Sequence, residues 1–365
     1  MTTDRSTPSR RSLHDFVGGR DNNFNLIRFI AASAVLFSHS FALSSGDRRL
    51  EPLSQSLGIT FGTIAVDVFF LTSGFLITAS LLARRDVPSF ALARMLRIYP
   101  ALITAVVLTV AVVGLGFTSL APSEFFSNSQ TWAYLGRNAT LVTGVAHTLP
   151  GALEHNPWPN AVNASLWTLP YELAMYALLA IVWLAIDSLR ASHDRWFRLA
   201  VSAIALLAAI VFLGQFDVPA KNGIRLTAMF FTGASFYLFR RSIPVDKRLF
   251  AALALAILAS GFDRSAFQIV YPLALPYVVF CAAYLPSGFI RGYNRLGDYS
   301  YGVYVYAFPV QQLLAASVPR ISALPMLGLS FAATLALAIL SWHLVEKRAV
   351  QWNRVHKKPP SMSPT

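Results

Sequence analysis

Four ionisable residues, Arg28, His39, Asp67 and Glu172, stand in apolar stretches that have little use for charge. Arg28 and His39 are eleven residues apart in one such stretch. On a helix that spacing is about 20° around the axis and about 16 Å along it, so the pair lines one stripe at two depths. An imidazole takes and gives a proton near neutral pH, whereas a guanidinium keeps its charge. Asp67 and Glu172 sit in two further apolar stretches, at the depth of His39 if successive stretches alternate in direction. A charge at a helix centre costs about 2.5 to 3.5 kcal/mol on insertion scales, so these side chains call for a shared polar cavity. For a lone intramembrane histidine the ordinary alternative is a hydrogen bond to a neighbouring helix. Arg28 in register and two carboxylates at matching depth weigh against it.

A second basic pair, Arg94 and Arg97, is three residues apart. On a helix both guanidiniums face the same way and suit a bidentate grip on phosphate. The competing reading is a topology signal, a role that Arg84 and Arg85 already fill.

The elements that must hold these residues are membrane helices. The 365 residues are 55% hydrophobic and 13% charged, with a mean hydropathy of +0.53; an ordinary globular domain is about 25% charged. Apolar blocks of spanning length alternate with short polar connectors. They predict an all-α polytopic membrane protein of about ten transmembrane helices, at 25–44, 59–82, 95–116, 166–187, 197–214, 223–239, 248–262, 266–285, 297–317 and 323–345.

Orientation follows from Lys and Arg, which are retained on the cytoplasmic side. One set of faces carries 22 of them, including Arg5, Arg10, Arg20, Arg190, Lys357 and Lys358. The other carries 7, Lys221 and Arg225 among them. That bias holds for an even number of spans, with both termini cytoplasmic. Three regions result: a disordered cytoplasmic N-terminus at 1–23, a membrane domain at 24–347 and a cytoplasmic basic tail at 348–365. The first block is too long for a signal-peptide core and reads as a retained anchor. Within the membrane domain the long connector 117–165, with Trp132, Tyr134, Trp158 and several prolines, is expected to be an extracytoplasmic lid with interfacial helices.

The net charge of +13 and pI near 10.2 do not point to nucleic acid, because the cations are spread between apolar blocks. Cys281 is the only cysteine, so neither an intrachain disulfide nor a cysteine metal site is expected.

Six ordered segments carry a resemblance. They are Arg28 and His39 with ten residues between; Val66-Asp67-Val68-Phe69-Phe70-Leu71-Thr72-Ser73-Gly74-Phe75-Leu76-Ile77; Arg94-Met95-Leu96-Arg97-Ile98-Tyr99-Pro100; Asn163 to Glu172, through Trp167 and Pro170; Tyr299 to Tyr304; and Val345-Glu346-Lys347. Together they resemble the acyltransferase-3 family of integral-membrane O-acyltransferases over nearly the whole chain. Many relatives carry a histidine before the proline turn of the ninth span. This chain has Tyr306-Ala307-Phe308-Pro309 there, so no catalytic role is carried over to that position. With no hydrolase-like domain after the tenth span, the likeness is to the stand-alone form.

The resemblance implies transfer of an acyl group, most often acetyl, from cytoplasmic acetyl-CoA or another acyl-CoA to a hydroxyl of a cell-surface or exported polysaccharide, possibly lipid-linked, at the inner (plasma) membrane. Acyl-CoA is then a co-substrate, and no permanently bound cofactor, metal or nucleic-acid partner is implied. His39 is expected as general base or transient acyl carrier, oriented by Asp67 or Glu172. Arg28, Arg94 and Arg97 are expected at the donor, with Glu346 neutralising one of them. Ser73, Gly74, Trp167 and Tyr301 are candidates for the acceptor cavity. Helix packing is the ordinary alternative for Ser73, Gly74 and Tyr301, and interfacial anchoring for Trp167. The rival reading is a proton-coupled secondary transporter of a glycan or anionic small molecule. No inverted repeat supports it. A third reading is a lipid-carrier-binding protein without catalysis.

Overall fold

The computed structural model describes residues 11–19, 21–188, 192–214 and 222–355, with side chains described as far as Trp352. Among these residues the fold is all helical, with two isolated β-bridges, Ser12 to Pro244 and Thr118 to Ala152. A helix occupies each of the expected stretches: α1 Phe24–Ser45, α2 Phe61–Arg84, α3 Val87–Gly116, α4 Leu169–Ser188, α5 His193–Leu213, α6 Asn222–Leu238, α7 Lys247–Ser260, α8 Arg264–Tyr284, α9 Ser300–Ser317 and α10 Ala323–Ser341. Among the described residues, 7 helices are long and apolar enough to cross a membrane: α1 to α5, α8 and the run from α10 to Trp352. The remaining three, α6, α7 and α9, are 17, 14 and 18 residues long. Arg5, Arg10, Arg20, Arg190, Lys221, Lys357 and Lys358, which bear on orientation, lie outside the described residues.

Local chemistry sets the helix ends. Thr60 caps α2, its hydroxyl accepting from Thr63 N at 3.0 Å, and Asp86 caps α3 by accepting from Ser89 N at 2.9 Å. Asp246 and Asp263 do the same for α7 and α8. Because Asp86 caps so early, α3 starts at Val87 rather than near residue 95, which puts Arg94 and Arg97 inside the helix instead of at its mouth. α10 likewise runs past the expected end, through a π turn at Trp342–Glu346 into a helix at Lys347–Val355. Among the described residues 11–19, part of the stretch expected to be disordered is structured. His14–Val17 is helical and Leu13 is buried, with its N–H bonded to Ile243 O at 2.9 Å.

The chain forms two compact units. The first comprises Met1–Ile27, Asp67–Ala79 and Ile181–Leu296. In it α5 packs on α6 and α7 on α8. The middle of α2 also meets α6 there in a close crossing: a Cβ on Gly74 would run into the Phe230 carbonyl, and one on Gly233 into the Leu71 carbonyl. Only residues without side chains let two helix backbones approach so closely.

The second unit comprises Arg28–Val66, Ser80–Ala180 and Gly297–Thr365. α9 packs on α10 with Gly302 against Ala338, where a Cβ would lie 2.8 Å from Ala338 Cα. The 117–165 connector belongs to this unit and is structured, with helices at Pro122–Ser127 and Ser129–Thr140. Asn138 staples it, giving a hydrogen bond to Ala146 O at 2.9 Å and accepting one from Ala146 N at 3.0 Å.

Candidate active site

All but three of the expected site residues lie in the second unit. Arg97 projects from α3 and donates through Nη1 to Glu346 at 2.6 Å and through Nη2 to Asp298 at 2.5 Å. Its guanidinium also lies 5.5 Å from the Tyr301 ring centre and 5.8 Å from that of Trp342. Tyr301 holds this contact in place by donating its hydroxyl to Ile98 O at 3.0 Å.

The π turn is what brings Glu346 here. Residues five apart point about 140° away from each other on an α-helix, whereas a π turn aligns them. Ser341 thus donates to Glu346 at 3.0 Å, and the carboxylate is 1% exposed. Asp298, in the turn before α9, accepts from Ser300 at 2.5 Å. Burial pushes the Asp298 carboxyl up, and the guanidiniums of Arg97 and Arg28 more than offset this, holding it below its ordinary value.

Arg94 and Glu172 belong to the same charged cluster. Tyr176, one turn along α4, donates its hydroxyl to Glu172. Arg94 interacts electrostatically with both, and Arg28 with Tyr176. Arg28, Arg94, Arg97, Glu172, Tyr301 and Glu346 are therefore gathered as a set, joined by Asp298 and Tyr176. Glu172 bonds within this set, in place of the expected pairing with His39.

His39 lies further along α1. Its ring meets Phe308 of α9 edge-on, with centroids 5.1 Å apart. Nδ1 is buried and has no hydrogen-bond partner among the described residues. Two neighbouring glutamines frame this contact, and both are fully buried. Gln311 donates to Leu36 O at 2.9 Å and Ser40 Oγ at 2.8 Å, pinning α9 to the turn of α1 that carries His39. Gln312 donates to Trp158 O at 2.9 Å and Ala161 O at 2.6 Å, and accepts from Asn156 at 2.6 Å, clamping the lid onto α9.

The lid is anchored again one turn away. Pro309 has no N–H, which leaves the Val305 carbonyl without its helical donor. Asn163 supplies the missing hydrogen bond at 2.9 Å. Tyr304 donates to Ser165 O at 2.7 Å and pairs with the Thr168 hydroxyl at 2.6 Å. Trp167, in the 3-10 turn between them, is half-buried and packs edge-on against Tyr171.

A cavity of about 1060 Å³ opens where the end of α1, the end of α9, the start of α10 and the lid converge. Phe41, Ser44 and Ser45 line it from the His39 helix, and Glu154, His155 and Arg320 supply charge or titratable groups. Phe41 is two residues beyond His39.

Asp67, Ser73 and Gly74 belong to the first unit. Asp67 is 0% exposed and spends both oxygens there: Arg225 Nη1 donates to one at 2.7 Å and the Tyr271 hydroxyl to the other at 2.9 Å. This ties α2, α6 and α8 together. Gly74 sits at the α2–α6 crossing, and Ser73 is buried beside it.

Five further residues do not stand out in the sequence as site residues: Asp298, Tyr176, Gln311, Gln312 and Arg225. Adjacent glutamines inside an apolar stretch, and a tyrosine four residues after Glu172, are the available signals. Arg225 reads as one of the outer cations; its bond to Asp67 depends on a helix 158 residues away in the chain.

The family model described as Acyltransferase domain matches residues 21–343. The chain belongs to the acyltransferase-3 family. This acyltransferase is 29% identical over 348 residues to the O-acetyl transferase of Shigella phage Sf6, covering 90% of its own length and 96% of that relative. It is also 30% identical over 365 residues to nodulation protein 10 of Rhizobium leguminosarum bv. viciae, covering 91% and 94%. No solved structure matches the acyltransferase significantly. Neither relative supports the transporter reading.

Proposed function

We propose that this protein is an O-acetyltransferase that moves an acetyl group from cytoplasmic acetyl-CoA to a hydroxyl of a cell-surface or exported polysaccharide across the inner (plasma) membrane. Ten spans with both termini cytoplasmic, and the 117–165 lid outside, follow from the lopsided distribution of Lys and Arg. The name of the phage relative supports acetyl as the group transferred.

One observation carries the reading. His39 presents an imidazole without a hydrogen-bond partner among the described residues, between a cationic cluster at the Arg28 end of α1 and a roomy cavity at the other end. Arginines suit the phosphates of the donor, and the cavity suits an acceptor arriving from outside. Neutral His39 removes the proton from the acceptor hydroxyl while its oxygen attacks the thioester carbonyl. The tetrahedral intermediate then collapses, the C–S bond breaks, and the departing thiolate takes the proton from the imidazolium. Since Asp67 and Glu172 are bonded to other residues, His39 acts here without a carboxylate orienting it; Phe308 and the Gln311 tie set its position.

The test is transfer of radiolabelled acetyl from CoA to a glycan fraction by membranes bearing His39→Ala at normal expression. A drop of about 10²-fold or more is expected from loss of a general base. Full acylation by that variant would remove the assigned role.

A further inference from the structure

The Gln311 amide has one orientation open to it. Its nitrogen gives both hydrogens to α1, one to Leu36 O at 2.9 Å and one to Ser40 Oγ at 2.8 Å. Ser40 spends its own hydroxyl proton on Leu36 O at 3.0 Å, so its oxygen is left to accept. Turning the amide over would set Oε1 against the Leu36 carbonyl, acceptor against acceptor. Oε1 therefore points away from these two groups, and it is buried with no hydrogen-bond partner among the described residues.

The contacts around the amide bring His39 within reach. Leu36 and Ser40 bracket His39 along α1, one turn before it and immediately after it. Phe308, whose ring meets the imidazole edge-on, lies one turn before Gln311 and shares its face of α9. The amide and the imidazole therefore press on the same patch of the α1–α9 contact, about one helical turn or 5 Å apart. His39 is half-buried as a residue, but its Nδ1 is shut away and, like Oε1, has no hydrogen-bond partner among the described residues. Buried polar atoms left unbonded are costly, and these two are complementary when the ring nitrogen carries the proton.

We propose that Gln311 is the positioning residue of His39: its Oε1 accepts a hydrogen bond from Nδ1–H, which leaves the lone pair of Nε2 to take the proton of the acceptor hydroxyl. This role rests on His39 being the general base. A neutral amide fixes the tautomer without setting a charge beside the ring, and so does the orienting work of a carboxylate in a site where Asp67 and Glu172 are bonded elsewhere. Hydrogen bonds of this kind are commonly long before substrate arrives and tighten in the complex.

Full-length protein, isotopically labelled at the histidine ring nitrogens and held in nanodiscs, is studied by nitrogen NMR at neutral pH, with the His39 signals identified by their loss in His39→Ala. The unsubstituted protein is expected to show Nδ1 protonated and Nε2 bare, and Gln311→Leu a mixture of both tautomers. In the same variant kcat for acetyl transfer is expected to fall about tenfold, the worth of one hydrogen bond, with the apparent KM for acetyl-CoA unchanged. Gln311→Glu, as the protonated acid, gives a proton to Leu36 O and turns its other oxygen toward Nδ1, and is expected to recover most of that kcat. A proton on Nε2 in the unsubstituted protein needs no variant to be seen and would overturn the assignment. So would an unaltered tautomer in Gln311→Leu, or a Gln311→Glu no faster than Gln311→Leu at equal membrane levels, which would leave only the tie to α1. Full acylation by His39→Ala would remove the general base itself; a misplaced proton with His39→Ala inactive would remove Gln311 alone.

Discussion

Asn163 donates its side-chain amide to the main-chain carbonyl of Val305 at 2.9 Å, replacing the hydrogen bond that Pro309 cannot make. A motif residue of the lid and a proline of α9 are thus two halves of one device. Asn163→Leu strands a buried carbonyl and is expected to cost about 1 to 3 kcal/mol. Pro309→Ala restores a donor within the helix and is expected to soften that loss. A double-mutant cycle on melting of the detergent-solubilised protein measures the coupling; strict additivity would disprove the pairing.

The Arg97 fork makes a complementary prediction. Arg97→Ala leaves the buried Glu346 carboxylate unpaired, and removing one partner of such a pair costs about 3 to 5 kcal/mol. The expected result is poor accumulation in the membrane and a lowered melting point. Combining Arg97→Met with Glu346→Leu is expected to regain much of the stability. If Arg97→Ala melted like the parent protein, the cluster would have no structural role.

Acid should weaken the same junction. The folded protein holds Asp298 below its ordinary carboxylate value, so the group contributes stability above the ordinary range and loses it as pH falls through the depressed value. Melting curves at descending pH are expected to show a loss on acidification that is smaller in Asp298→Asn. Identical acid sensitivity in the two proteins would refute this.

Asp67 and Arg225 predict a stability phenotype in the first unit. Asp67→Ala is expected to destabilise by about 3 to 5 kcal/mol by removing the buried carboxylate that pairs with Arg225. Asp67→Leu with Arg225→Leu is expected to recover expression. Were the double substitution to restore folding without restoring acyl transfer, Asp67 would have a part in catalysis beyond the ion pair.

By itself the amino-acid sequence determined the helical class, the place of the long helices apart from the early start of α3, and the family, because apolar blocks of helical length and the order of the motifs are both written along the chain. It also singled out Arg28, His39, Asp67 and Glu172 as out of place in apolar stretches, and Arg94 with Arg97 as a basic pair at the edge of one. Which of them meet was decided only in three dimensions. Arg97 joins Asp298 and Glu346 from 201 and 249 residues away. The second of these contacts depends on a π turn that no hydropathy pattern records. Asp67, which the sequence led one to expect at the depth of His39, takes Arg225 and Tyr271 as partners, since helix rotation and neighbour identity are set by packing rather than by position along the chain. The glutamines beside Phe308 were legible as residue types, but their bonds to α1 and to the lid exist only once α9 is in place between them.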